Sequence, residues 1–301
     1  MEDILMTIQF RNYTKQPGIT EDYHKVRALF IKLGHAEFEY TRWDWMATHR
    51  VLDKSMVGRI GLWEDEGEMV GVATFDTKLG EAFCLTLPGY GYLKKEMLIY
   101  AKDNLSKDGE FRVIIRDTDL EFQDIAAGLG FIATQDKEFD SMFYLDKTST
   151  AYDLPEGFHI TTMKETFDPY QYRRVLWRGF NHELNGEGEL KFSEEEEQEA
   201  KKAMIRPNVD LNLKVAVVAP DGNFVSYCGM WYDKDAGFAV IEPVATDPDY
   251  RKMGLGKAAV LEGIRRVGEL GAKKALVGSG QQFYYSIGLR PFSTSTLWKE
   301  K

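Results

Sequence analysis

The chain has 301 residues, which predicts about two domains of ordinary size. Hydrophobic residues make up 44% of it, while the net charge of −10 and the pI of about 5.2 argue against a nucleic-acid-binding protein. No apolar run approaches the ~20 residues that a membrane-spanning helix needs. We therefore expect a soluble cytoplasmic protein without a nucleic-acid or membrane partner. Its two cysteines, Cys84 and Cys228, lie in apolar strand-like runs and should be reduced and buried.

The first half of the chain has the pattern of a mixed α/β domain. Apolar runs predict strands at Met6–Asn12, Ile60–Trp63, Met69–Phe75, Phe111–Ile115 and Ser141–Leu145. Helices are predicted after the N-cap residue Thr20, at Leu93–Leu105 and at Phe122–Leu129. The acidic stretch Glu64–Glu68 predicts a hairpin turn. We expect the aromatic residues Tyr40, Trp43 and Trp45 to pack in a core or a domain interface, with a substrate wall as the alternative.

The second half repeats this order. A strand is predicted at Phe158–Met163, a helix at Tyr170–Phe180, a second helix after Ser193, and a hairpin around Ala219–Asn223. Gly67 and Gly222 are 155 residues apart, and Gly130 and Gly288 are 158 apart. Two different landmarks with nearly equal spacings indicate duplicated domains. We place the boundary between residues 149 and 150.

A strand, a turn and a helix follow one another at Phe238–Leu270. The β-branched run ends at Asp247-Pro248, and Arg251-Lys-Met-Gly-Leu-Gly256 then opens a helical pattern. Unbonded backbone N–H groups and the helix dipole make such a terminus an anion site, and Gly254 and Gly256 let the backbone close around a phosphate. A Rossmann fingerprint would need glycine at Ala259, and a Walker loop would need serine or threonine at Ala258.

Arg251–Gly256 resembles the Q/R-x-x-G-x-G/A acyl-CoA loop of the GNAT superfamily of N-acetyltransferases. Phe283–Leu289 is similar to the F-Y-x-x-x-G-F segment of that family, and the resemblance is specific over Gly237–Phe292. It implies an α/β fold of two GNAT-like acyl-CoA N-acyltransferase domains, each a mixed, mostly antiparallel sheet flanked by helices. These would be residues 1–149, a degenerate copy, and residues 150–301, a catalytic copy that binds acetyl-CoA.

The first copy departs from the family pattern at two places. Leu87–Tyr92 stands where the loop should be, without arginine or glutamine at the right spacing, and Ala126 stands where the second copy has Tyr284. We expect the first copy to be structural or to shape the substrate site. A weak CoA site at Gly89 and Gly91 is left open.

The resemblance also implies the site residues. Acetyl-CoA, the acyl-donor cosubstrate, would be bound by Val244, Ala245, Thr246, Arg251, Lys252, Met253, Gly254, Leu255, Gly256 and Lys257. A backbone N–H near Val244 is a candidate oxyanion donor, and Tyr284 is the candidate acid that protonates the departing thiolate. Glu242 is the candidate base for the amine, with His182 or a water chain as alternatives. No metal site is predicted.

The expected function is the transfer of an acetyl group from acetyl-CoA to a primary amine by direct attack. The amine would belong to a small molecule or a peptide, and the sequence does not identify it. A non-catalytic acyl-CoA-binding or regulatory protein is the alternative. The oligomeric state stays open, with a homodimer as one option.

Overall fold

A computed structural model describes residues 8–35 and 37–301 and forms two compact units. The first unit runs to Phe139 and includes Ser293–Lys301, and the second is Asp140–Phe292. The units do not coincide with the predicted division at residues 149 and 150. The physical reason is that the last strand of each half of the chain passes from one unit into the other.

The N-terminal unit is an α/β unit whose strand pairs are mostly antiparallel. Its strands are β1 (Ile8–Asn12), β2 (Gly61–Asp65), β3 (Glu68–Thr74), β4 (Glu81–Thr86), β5 (Arg112–Arg116) and the beginning of β6 (Phe131–Tyr144). Its helices are α1 (Glu21–Leu33), α2 (Tyr40–Thr48), α3 (Lys94–Leu105) and α4 (Leu120–Gly128). β1 to β4 pair consecutively and antiparallel, whereas β4 and β5 are parallel. Residues 6 and 7 of the first predicted strand lie outside the described residues.

The helix cap and the aromatic core residues predicted for the N-terminal unit are present in the structure. The Thr20 hydroxyl accepts a hydrogen bond from the Tyr23 N–H, which satisfies one free donor at the start of α1. Tyr40 and Trp43 are buried in the core, and Trp45 stacks on His49 with ring centroids 4.0 Å apart. The expected core packing is therefore confirmed for Tyr40 and Trp43.

The C-terminal unit has the same order of elements. They are β7 (His159–Thr162), α5 (Pro169–Gly179), α6 (Glu194–Met204), β8 (Lys214–Val218), β9 (Phe224–Tyr232), β10 (Ala239–Thr246), α7 (Leu255–Glu269), β11 (Lys274–Val277), α8 (Gln282–Ser286) and the start of β12 (Arg290–Glu300). β7 to β10 pair consecutively and antiparallel, and β10 and β11 are parallel. The predicted mixed, mostly antiparallel architecture is confirmed.

The strands that pair with β5 and with β11 each come from the other half of the chain. In the N-terminal unit β5 pairs with Ser295–Lys299 of β12, and in the C-terminal unit β11 pairs with Ser141–Tyr144 of β6. The strand predicted at Ser141–Leu145 is thus the end of a longer one. Both cysteines are buried free thiols, as predicted. No helix among the described residues is long and apolar enough to cross a membrane.

Candidate active site

β10 and β11 pair only where both strands begin. Ala239 is opposite Ala275 and Val240 is opposite Leu276, and past this point no described residue pairs with β10 on that side. The other edge of β10 stays paired with β9, with a bulge between Ile241 and Val244. The bulge contains Pro243, which has no N–H to donate, and the Glu242–Pro243 peptide bond is cis. The result is an open strand edge in the middle of the sheet.

The Val244 N–H faces this open edge. The Asp247 N–H bonds to Val225 O of β9 at 2.9 Å, so Asp247 points toward β9. Because the direction of backbone groups alternates along an antiparallel strand, Ala245 also points toward β9 while Val244 and Thr246 point away. The Ser226 hydroxyl bonds to Ala245 O at 3.1 Å, which agrees with this alternation.

The loop between β10 and α7 presents a row of unbonded donors. The backbone N–H groups from Lys252 to Lys257 donate to no described residue, and the first bond of the helix runs from Ala258 N to Gly254 O at 3.0 Å. Gly254 has φ +83, a left-handed conformation that favours glycine. Lys252 and Lys257 are exposed and form no ion pair within the described chain. The predicted electropositive helix terminus is present.

This loop packs directly on the end of β10 and on α8. A Cβ atom on Gly256 would stand 2.9 Å from the Thr246 hydroxyl and 3.4 Å from the Phe283 ring. Leu255, Ala259 and the other buried residues of α7 continue this packing into the core. The open edge of β10 and the donors of the loop therefore lie next to each other.

Tyr284 lies on α8 and is 8% exposed. Its hydroxyl makes no hydrogen bond with any residue that the structure describes. Burial, with smaller contributions from Cys228 and Glu242, raises the pKa of this phenol. Tyr284 thus keeps its proton at neutral pH, and its hydroxyl is available to another group.

Glu242 lies in the bulge and is half-buried. Its carbonyl oxygen accepts a hydrogen bond of 2.9 Å from the Trp231 indole N–H. Its carboxylate is close enough to act on two buried groups: it adds to the effect of burial on the pKa of Tyr284, and it opposes the burial that lowers the pKa of Lys214. The predicted acid on α8 and the predicted base in the bulge of β10 are therefore close enough for the charge of Glu242 to act on Tyr284.

His182, the alternative base, lies in the loop after α5. Its ring stacks on Trp177 with centroids 4.2 Å apart, and Nδ1 is 2.8 Å from Glu187 Oε1. These contacts hold the imidazole between Trp177 of α5 and Glu187 of its own loop.

Residues 176–288 match the family described as Acetyltransferase (GNAT) family. They form a GNAT acetyltransferase domain. The match includes Glu242, the loop from Arg251 to Lys257, and Tyr284. No curated protein matches the sequence significantly.

Solved structures show the same fold over nearly the whole chain. A GCN5-related N-acetyltransferase from Sphaerobacter thermophilus is 15% identical with a TM-score of 0.59, covering 97% of this chain and 95% of its own. A tandem GNAT protein from the clavulanic acid biosynthesis pathway is 12% identical with a TM-score of 0.62, covering 97% and 98%. A GNAT-family acetyltransferase from Colwellia psychrerythraea is 9% identical with a TM-score of 0.59, covering 97% and 100%. At these identities the likeness concerns the fold.

The Arg251 side chain of the GNAT domain forms hydrogen bonds with other residues of the chain. Its guanidinium donates to Thr246 O at 3.2 Å, to Gly179 O at 2.9 Å and to Asn181 Oδ1 at 2.7 Å. These bonds tie the loop to the ends of β10 and α5. Arg251 therefore organises the loop that presents the donors and adds positive charge beside them.

The N-terminal unit differs at each corresponding feature. β3 and β4 pair in a continuous register without a bulge. At the start of α3, the N–H groups of Leu93 and Lys94 bond to backbone carbonyls. Glu121 Oε2 lies 3.2 Å from the place of a Cβ atom on Gly91. A carboxylate at this terminus repels a diphosphate, and the degenerate nature of this copy stays a prediction.

Two residues beside the bulge, Lys214 and Trp231, were missing from the sequence-based prediction. Lys214 comes before four apolar residues at the start of β8, where a lysine usually marks an exposed strand end. Only the structure shows it to be 3% exposed and next to the bulge. The local sequence carries no signal for this burial.

Proposed function

We propose that the C-terminal unit transfers an acetyl group from acetyl-CoA to a primary amine by direct attack of the amine on the thioester. The observation that carries the proposal is the row of unbonded N–H groups from Lys252 to Lys257, which adjoins the open edge of β10. A diphosphate requires convergent donors and positive charge, and an extended amide chain can pair with an open strand edge. The two features together fit coenzyme A.

The residues that would bind acetyl-CoA, the acyl donor, follow from this fit. The N–H groups of Lys252–Lys257 and the ammonium groups of Lys252 and Lys257 would bind the diphosphate. The outward backbone groups of Val244 and Thr246 would pair with the amide arm. Acetyl-CoA, when bound, supplies the acetyl group as a reactive thioester.

The amine must lose a proton before it can attack. An amine with a pKa of about 10.4 is only ~0.04% neutral at pH 7, equivalent to about 4.6 kcal/mol. Glu242 is the proposed base because it lies in the same bulge as Val244. His182, or a water chain that leads to Glu242, is the alternative. The Val244 N–H faces the open edge, where it can donate to an oxygen that gains negative charge, and such donors contribute ~2.7–4 kcal/mol.

Tyr284 is the proposed acid for the departing thiolate. In water a thiol has a pKa near 8.5 and a phenol near 10, and burial raises both. Cys228, a thiol in the same core cluster, illustrates this because burial raises its pKa to about 12. The raised pKa of Tyr284 is therefore matched to the pKa of a thiol that is likewise shielded from water.

The test measures coenzyme A binding by calorimetry. We expect the wild type to bind about one coenzyme A per chain, and the double variant Gly254→Val/Gly256→Val to bind at least about tenfold more weakly. Gly271→Val is the matched control, since Gly271 also has a positive φ, +106, but follows the other end of α7. A wild type that binds no coenzyme A, or a double variant that binds normally, contradicts the proposal.

Turnover distinguishes the enzyme from its alternative. Thiol release from acetyl-CoA is measured with amino acids, polyamines, aminoglycosides and peptides as acceptors. We expect release with at least one small-molecule or peptide amine, and we place this activity in the cytoplasm. Binding without release across the panel would favour a non-catalytic acyl-CoA-binding protein.

A further inference from the structure

Lys214 is a buried lysine beside the bulge. It begins β8, where it is paired with Gly229 of β9, and it is 3% exposed. Its Nζ donates to Met230 O at 2.8 Å and lies 3.8 Å from the centre of the Trp231 ring. No carboxylate among the described residues forms an ion pair with it. Burying an ammonium with so few partners is unfavourable, and a methionine would fill the space without that penalty.

Lys214 is linked to Glu242 through Trp231. The indole ring under the ammonium belongs to Trp231, whose N–H bonds to the Glu242 carbonyl at 2.9 Å. The same carbonyl oxygen stands 2.5 Å from the place of a Cβ atom on Gly229. The three strands β8, β9 and β10 are thus connected through one lysine, one indole and one carbonyl.

We infer that Lys214 is a positioning residue: it holds Trp231, which fixes the Glu242 carbonyl and thereby the directions of the Glu242 carboxylate and the Val244 N–H. This inference rests on the proposed function of those two groups. A base and a backbone donor must be held closely in place, because displacements of about 1 Å can slow a reaction roughly 100-fold.

The contact between Lys214 and Trp231 depends on pH. Burial lowers the pKa of Lys214 to about 7, although Cys228, Glu242 and Asp210 act in the opposite direction. The ammonium form attracts the face of the indole ring, whereas the neutral amine lacks that cation–π attraction. The hold on Trp231 is therefore nearly complete only well below pH 7, and it is lost as the pH rises through about 7.

The first test does not require activity. In the full chain labelled with ¹⁵N and without ligand, the Trp231 indole N–H resonance is identified by its loss in Trp231→Phe. We expect it to shift with a midpoint near pH 7 in the wild type and not in Lys214→Met. Lys274→Met is the matched control, since Lys274 is exposed and lies 5.9 Å from the Tyr144 ring. A resonance that does not titrate, or that still titrates in Lys214→Met, overturns the inference.

The second test compares rates. With saturating acetyl-CoA and amine, we expect Lys214→Met to lower kcat roughly 10- to 100-fold at pH 6. The ratio of wild-type to variant kcat should fall toward one at pH 9, and ionisation of the amine cancels in this ratio. Coenzyme A affinity should change less than about twofold. Equal kcat values, or a ratio that does not change with pH, overturn the inference.

The two proposals fail in different ways. A wild type that neither binds coenzyme A nor releases thiol removes the proposed function, and the resonance titration alone then decides whether Lys214 holds Trp231. A wild type that is active while the titration is absent removes only the role of Lys214.

Discussion

Tyr284 brings one polar atom, its hydroxyl oxygen, into an apolar cluster. The ring is buried among the core residues of the C-terminal unit, and the hydroxyl bonds to none of the described residues. Because burial raises the pKa of the phenol, the hydroxyl carries its proton at neutral pH and well above it. A group of this kind is suited to giving a proton to a thiolate that forms beside it.

Replacing Tyr284 with phenylalanine removes only this oxygen. We expect Tyr284→Phe to lower kcat for thiol release by about 100-fold or more, because a general acid typically contributes 10²–10⁴. Coenzyme A affinity should stay within about twofold. Tyr285→Phe, the same change at the next position of α8, is the control and should keep wild-type kcat. A Tyr284→Phe variant with wild-type kcat would exclude the phenol as the acid.

The junction of β10 and α7 is stabilised by a buried carboxylate. Asp247 is fully buried and accepts from Arg178 Nε at 2.7 Å and from the Asp249 N–H at 3.1 Å. Arg174 Nη2 is 3.2 Å from the same carboxylate. The network joins α5 to the beginning of the loop that presents the N–H donors. The position of the loop therefore depends on elements beyond its own sequence.

Asp247→Ala leaves two partly buried guanidinium groups without their carboxylate. We expect it to lower the free energy of the local opening of α7 by about 2–3 kcal/mol. Hydrogen exchange of the α7 amides measures this, since a chain of two units need not unfold in one step. Asp249→Ala is the control: its side chain is 75% exposed and bonds to the same Arg178 at 2.6 Å. Asp249→Ala should lower the free energy of this local opening by less than about 1 kcal/mol. Equal effects of the two substitutions would show that the buried carboxylate of Asp247 does not stabilise the junction.

At the scale of the whole molecule, the C-terminal strand belongs to the N-terminal unit. Ser295–Lys299 of β12 pairs along Arg112–Arg116 of β5. The Asp117 carboxylate accepts hydrogen bonds from Thr294 and Thr296, each at 2.6 Å. A fragment of residues 1–149, cut at the boundary that the sequence suggests, lacks this strand and leaves the edge of β5 open.

A chain that ends at Phe292 tests this strand exchange. We expect the amides of β5 to exchange with solvent at least about tenfold faster than in the full chain, because β5 has lost the neighbouring strand on one edge. A chain that lacks only Glu300 and Lys301 ends after the paired register and serves as the control. Unchanged exchange in β5 would show that β12 does not stabilise the N-terminal unit.

Features that depend on a few neighbouring residues could be predicted from the sequence. Thr20 and Ser193 cap their helices because each hydroxyl meets an N–H three residues later. The resemblance of Arg251–Gly256 to an acyl-CoA loop could be seen in the sequence because its arginine and glycines lie within six residues. The roles assigned to Glu242, Val244 and Tyr284 remain predictions, although the structure brings these residues together at the open edge of β10.

The amino-acid sequence by itself determined the order of elements, their repetition, and the loop that resembles one of the acetyltransferase family. Only the tertiary structure showed that β12 pairs with β5 and that β6 pairs with β11. The sequence cannot select these partners, because strands pair through backbone groups that are the same in every strand. It also decided that Arg251 bonds to the protein and that Lys214 is buried, since both depend on contacts between residues far apart in the chain. Short-range sequence patterns determine helix caps and turns, whereas the burial of a side chain and the partner of a strand depend on contacts between distant segments of the chain.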